Sequence, residues 1–271
     1  MKLAASNIGL AAYDHLDDFH RLAGMGLTGL EVSPSRAWED WWHGLKPAAV
    51  DAYRRAAENA GLQIVGLHTL FWQQPELGLF RANDARAQTL DYLAHMSQLC
   101  ADLGGRTLVF GSGRARMRGA LSLDDAIAET IRFFGELTPR IQSHGTCFAF
   151  EALGEQDSDF LNSVTETLRV VEGLDSGVMK THLDAKALVQ AGEVNAEAFA
   201  RARPTAVHFH ANQPDLGVLC RDGEVDHAEI GRLLRGIGYD GFVSIEQRMV
   251  NEDDPLSDLA RSAAVLKECY G

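Results

Sequence analysis

Short β-rich runs alternate with amphipathic stretches from one end of the chain to the other. The runs KLAASNI, GLEVS, QIVGLHTL, RTLVFGS, TCFAFEAL, VMKTHLD, AVHFHAN and FVSIEQ predict eight strands. Between them the period lengthens. AQTLDYLAHMSQLCADLGG repeats apolar residues at Leu90, Leu93, Met96 or Ser97, Cys100 and Leu103, then stops at a glycine pair, which predicts a helix and its end. SLDDAIAETIRFFGEL opens with Ser122 three residues before Asp125, a capping-box-like entry, and continues through Ile127, Ile131 and Phe134. NSVTETLRVVEGL and PLSDLARSAAVLKECY follow the same plan, and NAEAFARAR is the weakest helix of the set.

Strands alternating with helices imply a parallel sheet joined by right-handed crossovers. Eight such repeats in 271 residues predict an α/β fold, a single (β/α)8 TIM barrel spanning residues 1–271. A doubly wound open sheet is the competitor. It commonly carries a glycine-rich phosphate turn after an early strand, and the first loop, NIGLAAYDHL, has no GxGxxG.

Composition narrows the function more than the fold. The chain has 38 acidic and 25 basic residues, a net charge of −13, which disfavours a nucleic-acid binder that must displace counterions with a basic face. The apolar runs are too short and too often broken for a membrane span, and the N-terminus reads as a strand rather than a signal peptide. Cys100, Cys147, Cys220 and Cys269 form no CxxC pair, which argues against a zinc ribbon or disulfide framework and suits a reducing cytoplasm.

Barrel enzymes keep their chemistry at the C-terminal ends of the strands, and strand parity says which side chains point inward. In TCFAFEAL the bulky Phe148 and Phe150 should meet the helices, so Glu151 points inward. By the same rule Asp184 faces in opposite Leu183, His210 opposite Phe209, and Glu246 opposite Ile245. Each residue alone is an ordinary polar strand end. Together they place three carboxylates and one imidazole at one rim, where they would repel unless a cation lay between them. Oxygen-rich ligation with one nitrogen suits one hard divalent ion, Mn²⁺ first, with Mg²⁺, Co²⁺ or Zn²⁺ as alternatives.

The order Glu151, Asp184, His210, Glu246, with gaps of 33, 26 and 36 (184−151, 210−184, 246−210), resembles the xylose isomerase-like barrels. It is most similar to their sugar phosphate isomerase/epimerase branch with the ketose 3-epimerases. The resemblance implies that these four residues bind one divalent metal and that Glu151 and Glu246 double as the acid/base pair. Through an enediolate, one glutamate would take a proton from one face of a keto sugar or related polyol and the other return it to the opposite face. His182 and His208, one layer below the rim, are expected as hydrogen-bond partners of the ligands or as core residues.

Other rim residues follow with less weight. The resemblance gives His68 and Glu31 a place on the substrate, and Arg248, two residues beyond Glu246, returns to the inward side. Trp72 after the third strand, and Trp38, Trp41 and Trp42 above the second, are candidates for stacking on sugar C–H faces or for a lid, and equally for a dimer contact. The loop FGSGRARMRG offers Arg114, Arg116 and Arg118 to a phosphate or carboxylate. Relatives are often homodimers or homotetramers.

The chain also departs from the pattern. Ala187 stands where many relatives have a histidine three residues after the strand-six aspartate, and no Asn-Arg pair follows Glu151. The substrate is therefore left open, and a dehydratase of inosose or dehydroshikimate type would use the same metal frame. An endonuclease-IV-like nuclease needs several zinc ions and further histidines that this sequence lacks. A non-catalytic sugar-binding barrel would be expected to have lost a ligand, and none is missing.

Overall fold

The first five strand residues, Lys2–Ser6, alternate between two environments that recur around the molecule. Leu3 and Ala5 join a buried cluster of 64 residues lying between the strands and the surrounding helices. Ala4 instead meets only Val65 and Phe242, a small apolar plug inside the sheet. A closed sheet produces that division, with the smaller face inside, and this sheet is closed. The computed structural model describes residues 1–271 and contains eight parallel strands in the order β1 to β8, with β1 paired to both β2 and β8. The strands are β1 (Lys2–Ser6), β2 (Gly29–Val32), β3 (Gln63–Leu67), β4 (Thr107–Phe110), β5 (Cys147–Glu151), β6 (Met179–Asp184), β7 (Ala206–Ala211) and β8 (Phe242–Ile245). All eight coincide with the runs read from the sequence.

A helix follows each strand: α1 (Phe19–Gly24), α2 (Pro47–Asn59), α3 (Asn83–Asp102), α4 (Leu123–Ile141), α5 (Val164–Leu174), α6 (Ala196–Ala202), α7 (His227–Gly236) and α8 (Pro255–Tyr270). Ser122 caps α4 as its spacing predicts, accepting from the Asp125 amide and donating to its carboxylate. The least periodic segment forms the short α6, capped by Asn195. A four-residue helix at Pro34–Ala37 and a six-residue helix at Ala185–Gln190 are additions that their length hides from periodicity. No helix is long and apolar enough to cross a membrane. All four cysteines are free thiols.

Two register shifts position the site. One lies between Leu30 and Glu31 where β2 meets β3, and the other between Thr181 and His182 where β6 meets β7. An extra residue in one strand re-aims the side chains that follow it. The second shift aligns His182 with His208 and Asp184 with His210, so both polar pairs share a face.

Outside the barrel, α7 and α8 are joined by a buried polar contact. His227 Nδ1 lies 2.8 Å from the Tyr270 hydroxyl, and its Nε2 lies 3.2 Å from the Gln213 amide nitrogen. A neutral ring satisfies both, accepting from Gln213 and donating to Tyr270, whereas a protonated ring would turn N–H toward N–H. Burial, opposed by Asp226, pushes the His227 pKa down to about 4 from 6.5. Between those values the unfolded chain binds a proton that the folded chain refuses, so this residue's contribution to stability is lost as pH falls from 6.5 toward 4. Urea unfolding of the wild type and His227→Gln at pH 7 and 4.5 should show a smaller loss in the variant, by on the order of 2 kcal/mol. Equal losses would mean that His227 is not kept neutral by the fold.

Candidate metal centre

The strand ends bring Glu151, Asp184, His210 and Glu246 to one point. His210 Nδ1 lies 3.4 Å from Glu151 Oε1, 3.5 Å from Glu246 Oε2 and 3.8 Å from Asp184 Oδ2. All four residues are buried or nearly so; Glu246, just beyond β8, keeps the most exposure, at 15% of its side chain. Nδ1 is buried and aligned for a hydrogen bond with none of the three oxygens. Three convergent carboxylate oxygens around an unpartnered imidazole nitrogen are a donor set for a divalent cation. His182 joins the same group: its Nε2 is 3.2 Å from Glu151 Oε1, and one donor atom each from Glu151, His182, Asp184 and His210 lie within 4.8 Å of one another.

What holds the cluster is as informative as its members. The other nitrogen of His210, Nε2, lies 3.0 Å from both carboxylate oxygens of Glu31. A carboxylate accepting from Nε2–H leaves Nδ1 as the free lone pair, the arrangement by which proteins orient ligating histidines. Glu31 Oε1 also accepts from His208 Nε2 at 3.0 Å, which locks His208 beneath the rim. Glu31 is therefore wholly buried under His210 and does not line the cavity, unlike the place on the substrate expected for it. Leu30 and Val32 on either side of it join the outer core, so alternation turns the Glu31 side chain into the barrel.

Asn212 lies on the inward side with His208 and His210 and is a further member of the site. Its Nδ2 donates to Asp184 Oδ2 at 2.6 Å and to Glu246 Oε2 at 2.8 Å, tying two carboxylates together. Asp184 has a second duty: its Oδ1 accepts from the Ala187 amide at 2.8 Å as the N-cap of the short helix Ala185–Gln190. Ala187 thus contributes a backbone amide to the cluster. His68 is buried between Ser6 Oγ at 2.5 Å from Nε2 and Glu246 Oε1 at 3.5 Å from Nδ1. Gly111, at the end of β4, leaves the room Glu151 occupies; a Cβ there would lie 1.5 Å from Glu151 Oε2.

The charges settle around this frame in a definite way. Burial works to raise Glu151, but His182 and His210 hold it down at about 2. For Glu246, burial is outweighed by His210 and His68, and its carboxyl stays well below the ordinary range. Burial likewise opposes ionised Glu31, yet His210, His208 and His68 keep it well below the usual value. Asp184 goes the other way, pushed well above the carboxylate range by burial and by the charges of Glu151 and Glu246. Burial works against charged His210, but Glu31 and Glu246 raise it well above 6.5. Burial and the neighbouring His210 hold His182 down at about 4. Positive charge is what this cluster gathers, and a bound dication would do so while displacing the protons of His210 and Asp184.

Above the cluster lies a cavity of about 790 Å³, lined by His68, Glu151, His210 and Glu246 at one end and by the β3 and β4 loops elsewhere. Trp72 and Arg114 line it. Arg248 does not: its side chain is exposed outside the cavity while its amide donates to the Leu216 carbonyl. Of the tryptophans above β2, Trp41 belongs to the core, and Trp38 and Trp42 are half-buried against it instead of forming a lid. Trp41 is buried and donates to the Tyr92 hydroxyl at 3.0 Å, Trp42 packs against Tyr92, and Trp38 against Tyr53. Arg116 is fully buried, donating to the carbonyls of Phe110 and Glu151 at 3.1 and 2.6 Å, so it braces the strand ends under Glu151 rather than binding an anion. Arg118 is likewise occupied, by Asp159 and Leu121.

A closed (β/α)8 barrel whose C-terminal rim gathers carboxylates and imidazoles that could hold a metal ion is the class that the fold and site define. A sequence profile described as "Xylose isomerase-like TIM barrel" matches residues 19–269, and the chain belongs to that family. Comparison with curated proteins gives no match. Among solved structures, it is similar to D-psicose 3-epimerase from Clostridium cellulolyticum H10 (16% identity, 99% of this chain and 98% of that one, TM-score 0.82). It is also similar to 3-keto-D-glucoside 4-epimerase from E. coli (20% identity, 99% and 100% covered, TM-score 0.81). The IOLI protein with a bound zinc atom superposes at a TM-score of 0.77 with 14% identity over 100% of both chains. At these identities the likeness is one of fold.

Two variants test the frame. Asp184→Asn can keep the cap to Ala187 but loses its charge and turns an N–H toward Asn212 Nδ2, so it should bind Mn²⁺ less tightly than wild type at a modest cost in stability. Glu31→Gln should lower Mn²⁺ affinity by about 10–100-fold by releasing His210. Both are read by chelator competition, with affinity rising with pH in the wild type because protons on His210 and Asp184 compete with the ion. Unchanged affinity in both variants would show that the ion binds elsewhere.

Proposed function

We propose that the protein is a divalent-metal-dependent isomerase or epimerase acting on a keto sugar or related polyol, with Mn²⁺ as the preferred ion. The observation that carries this reading is the convergence of Glu151, Asp184 and Glu246 on the unpartnered Nδ1 of His210 at the floor of a cavity. Glu151, Asp184, His210 and Glu246 would hold the ion, whose Lewis acidity makes a hydrogen beside a carbonyl removable and stabilises the charge left on oxygen.

The proton work falls to the two glutamates. Glu151 arrives from β5 and Glu246 from the end of β8, on either side of the β6–β7 pair, so a substrate lying between them meets a carboxylate from two directions. Both are kept ionised by their histidine neighbours, which suits the one that removes the proton. One glutamate accepts the hydrogen on an Oε, and the other delivers a proton to the opposite face of the same carbon. Asp184 has both oxygens engaged, by Ala187 and Asn212, which leaves it a structural ligand with no part in the transfer. His68 steadies Glu246 from the Ser6 side, and Trp72, 62% exposed, offers its face to sugar C–H surface.

The test is solvent deuterium uptake into a panel of ketoses, followed by NMR on Mn²⁺-reloaded protein. Exchange at the carbon beside the carbonyl should depend on the metal and fall by at least ~10²-fold in Glu246→Gln, with the thermal unfolding profile retained. Full exchange in metal-free protein or in Glu246→Gln would overturn the mechanism, and loss of water from the product would indicate a dehydratase instead.

A further inference from the structure

The cavity lining carries both signs of charge. Its only carboxylates are Glu151 and Glu246, both committed to the cluster, while Arg81 and Arg114 line the same cavity. Neither arginine lies within salt-bridge distance of an acidic residue. Arg81 donates only to the Pro75 carbonyl at 3.0 Å, and Arg114 makes no hydrogen bond with the protein through its side chain. Elsewhere on the surface, Arg86, Arg140, Arg169 and Arg232 are each paired with an acid. The neighbours of Arg114 in sequence are also consumed, Arg116 by buried carbonyls and Arg118 by Asp159.

The two free arginines are brought together by the backbone. Leu79 donates its amide to the Ala115 carbonyl at 2.6 Å, which clips the β3 loop to the β4 loop. The approach is close enough that a Cβ on Gly78 would lie 2.7 Å from the same carbonyl oxygen. Arg81 is two residues beyond one side of this clip and Arg114 one residue before the other. Both long side chains therefore start from a shared, hydrogen-bonded seam on the cavity wall. Gly113 fixes the second loop from behind, since a Cβ there would lie 2.0 Å from the Asp157 carbonyl oxygen. The same wall offers hydroxyl and amide groups at Thr69, Gln73, Gln74 and Ser112.

From this we infer that the substrate is anionic: a keto sugar or sugar-acid chain whose end remote from the carbonyl carries a phosphate or carboxylate, gripped by Arg81 and Arg114. The inference rests on the reading of Glu151, Asp184, His210 and Glu246 as the metal centre, which sets the direction of the substrate. A planar guanidinium matches either anion with paired N–H donors, and two on one seam give a fork for a terminal group. A neutral sugar would leave both charges without a counterpart in a cavity whose other acids are taken. The arginines thereby act as specificity-determining residues, choosing the substrate by its far end while the metal centre handles the carbonyl end.

Non-reacting polyols separate this from the proton chemistry. Calorimetric titration of Mn²⁺-loaded protein with ribitol, D-ribonate and D-ribitol 5-phosphate should show at least one anionic probe binding about tenfold or more tighter than ribitol. The tighter of the two anions tells phosphate from carboxylate. In Arg81→Ala/Arg114→Ala, two exposed positions, that advantage should disappear while the unfolding temperature is unchanged. Equal affinity for all three probes, no binding of any, or an anionic advantage that survives in the double variant would each overturn the assignment. Absence of deuterium exchange with every ketose would instead strike the isomerase reading and leave these affinities standing.

Discussion

Three carboxylates held within 4 Å of one imidazole nitrogen, nearly sealed from water, are the constraint around which this barrel is organised. Left alone, such a group would force protons onto itself or push the strand ends apart. The protein answers with hydrogen bonds that each do two things. Asn212 joins Asp184 to Glu246, the Ala187 amide anchors Asp184 while starting a helix, and Arg116 grips the backbone beneath Glu151. Glu31 takes the far side of His210 and, through His208, extends the polar column downward. The result is a rigid floor whose remaining deficit is positive charge.

This arrangement divides labour between strands and loops. The strands β5 to β8 present the charged floor, and the loops after β3 and β4 form most of the cavity wall. Thr69 and Gln73 in the first of these loops adopt left-handed backbone, φ 51° and 60°, which for a β-branched residue such as Thr69 is strained by about 1–3 kcal/mol. Such strain persists where surrounding contacts over-determine the chain, here beside His68 and Trp72 on the cavity wall.

The fold and the four rim residues were legible in the sequence because both rest on period-two alternation. Phe148, Phe150, Phe209 and Ile245 belong to the outer core, and that alone dictates where Glu151, His210 and Glu246 point. The same parity extended two residues past His210 would have found Asn212. Elsewhere the pattern has no hold. Whether an arginine in FGSGRARMRG faces solvent, as Arg114 does, or is buried on three carbonyls, as Arg116 is, depends on where the neighbouring strands end. Trp38, Trp41 and Trp42 read as surface aromatics because they sit in a loop, but Tyr53 and Tyr92 on the helices behind them provide a core for them to join. The resemblance placed Glu31 on the substrate, but its partners lie 177 and 179 positions away in the chain, a distance no local pattern spans.

The apolar plug inside the sheet is small, just Ala4, Val65 and Phe242, against 64 buried residues in the shell outside it. Cohesion of the molecule therefore resides almost wholly between strands and helices, and the barrel's lumen contributes little of it. A lineage carrying this scaffold is free to exchange lumen residues, and so its chemistry, while the shell continues to fold the chain. Inheritance acts on the two surfaces of each strand separately: alternate residues of one short segment answer to different selective pressures, one for persistence and the other for reaction.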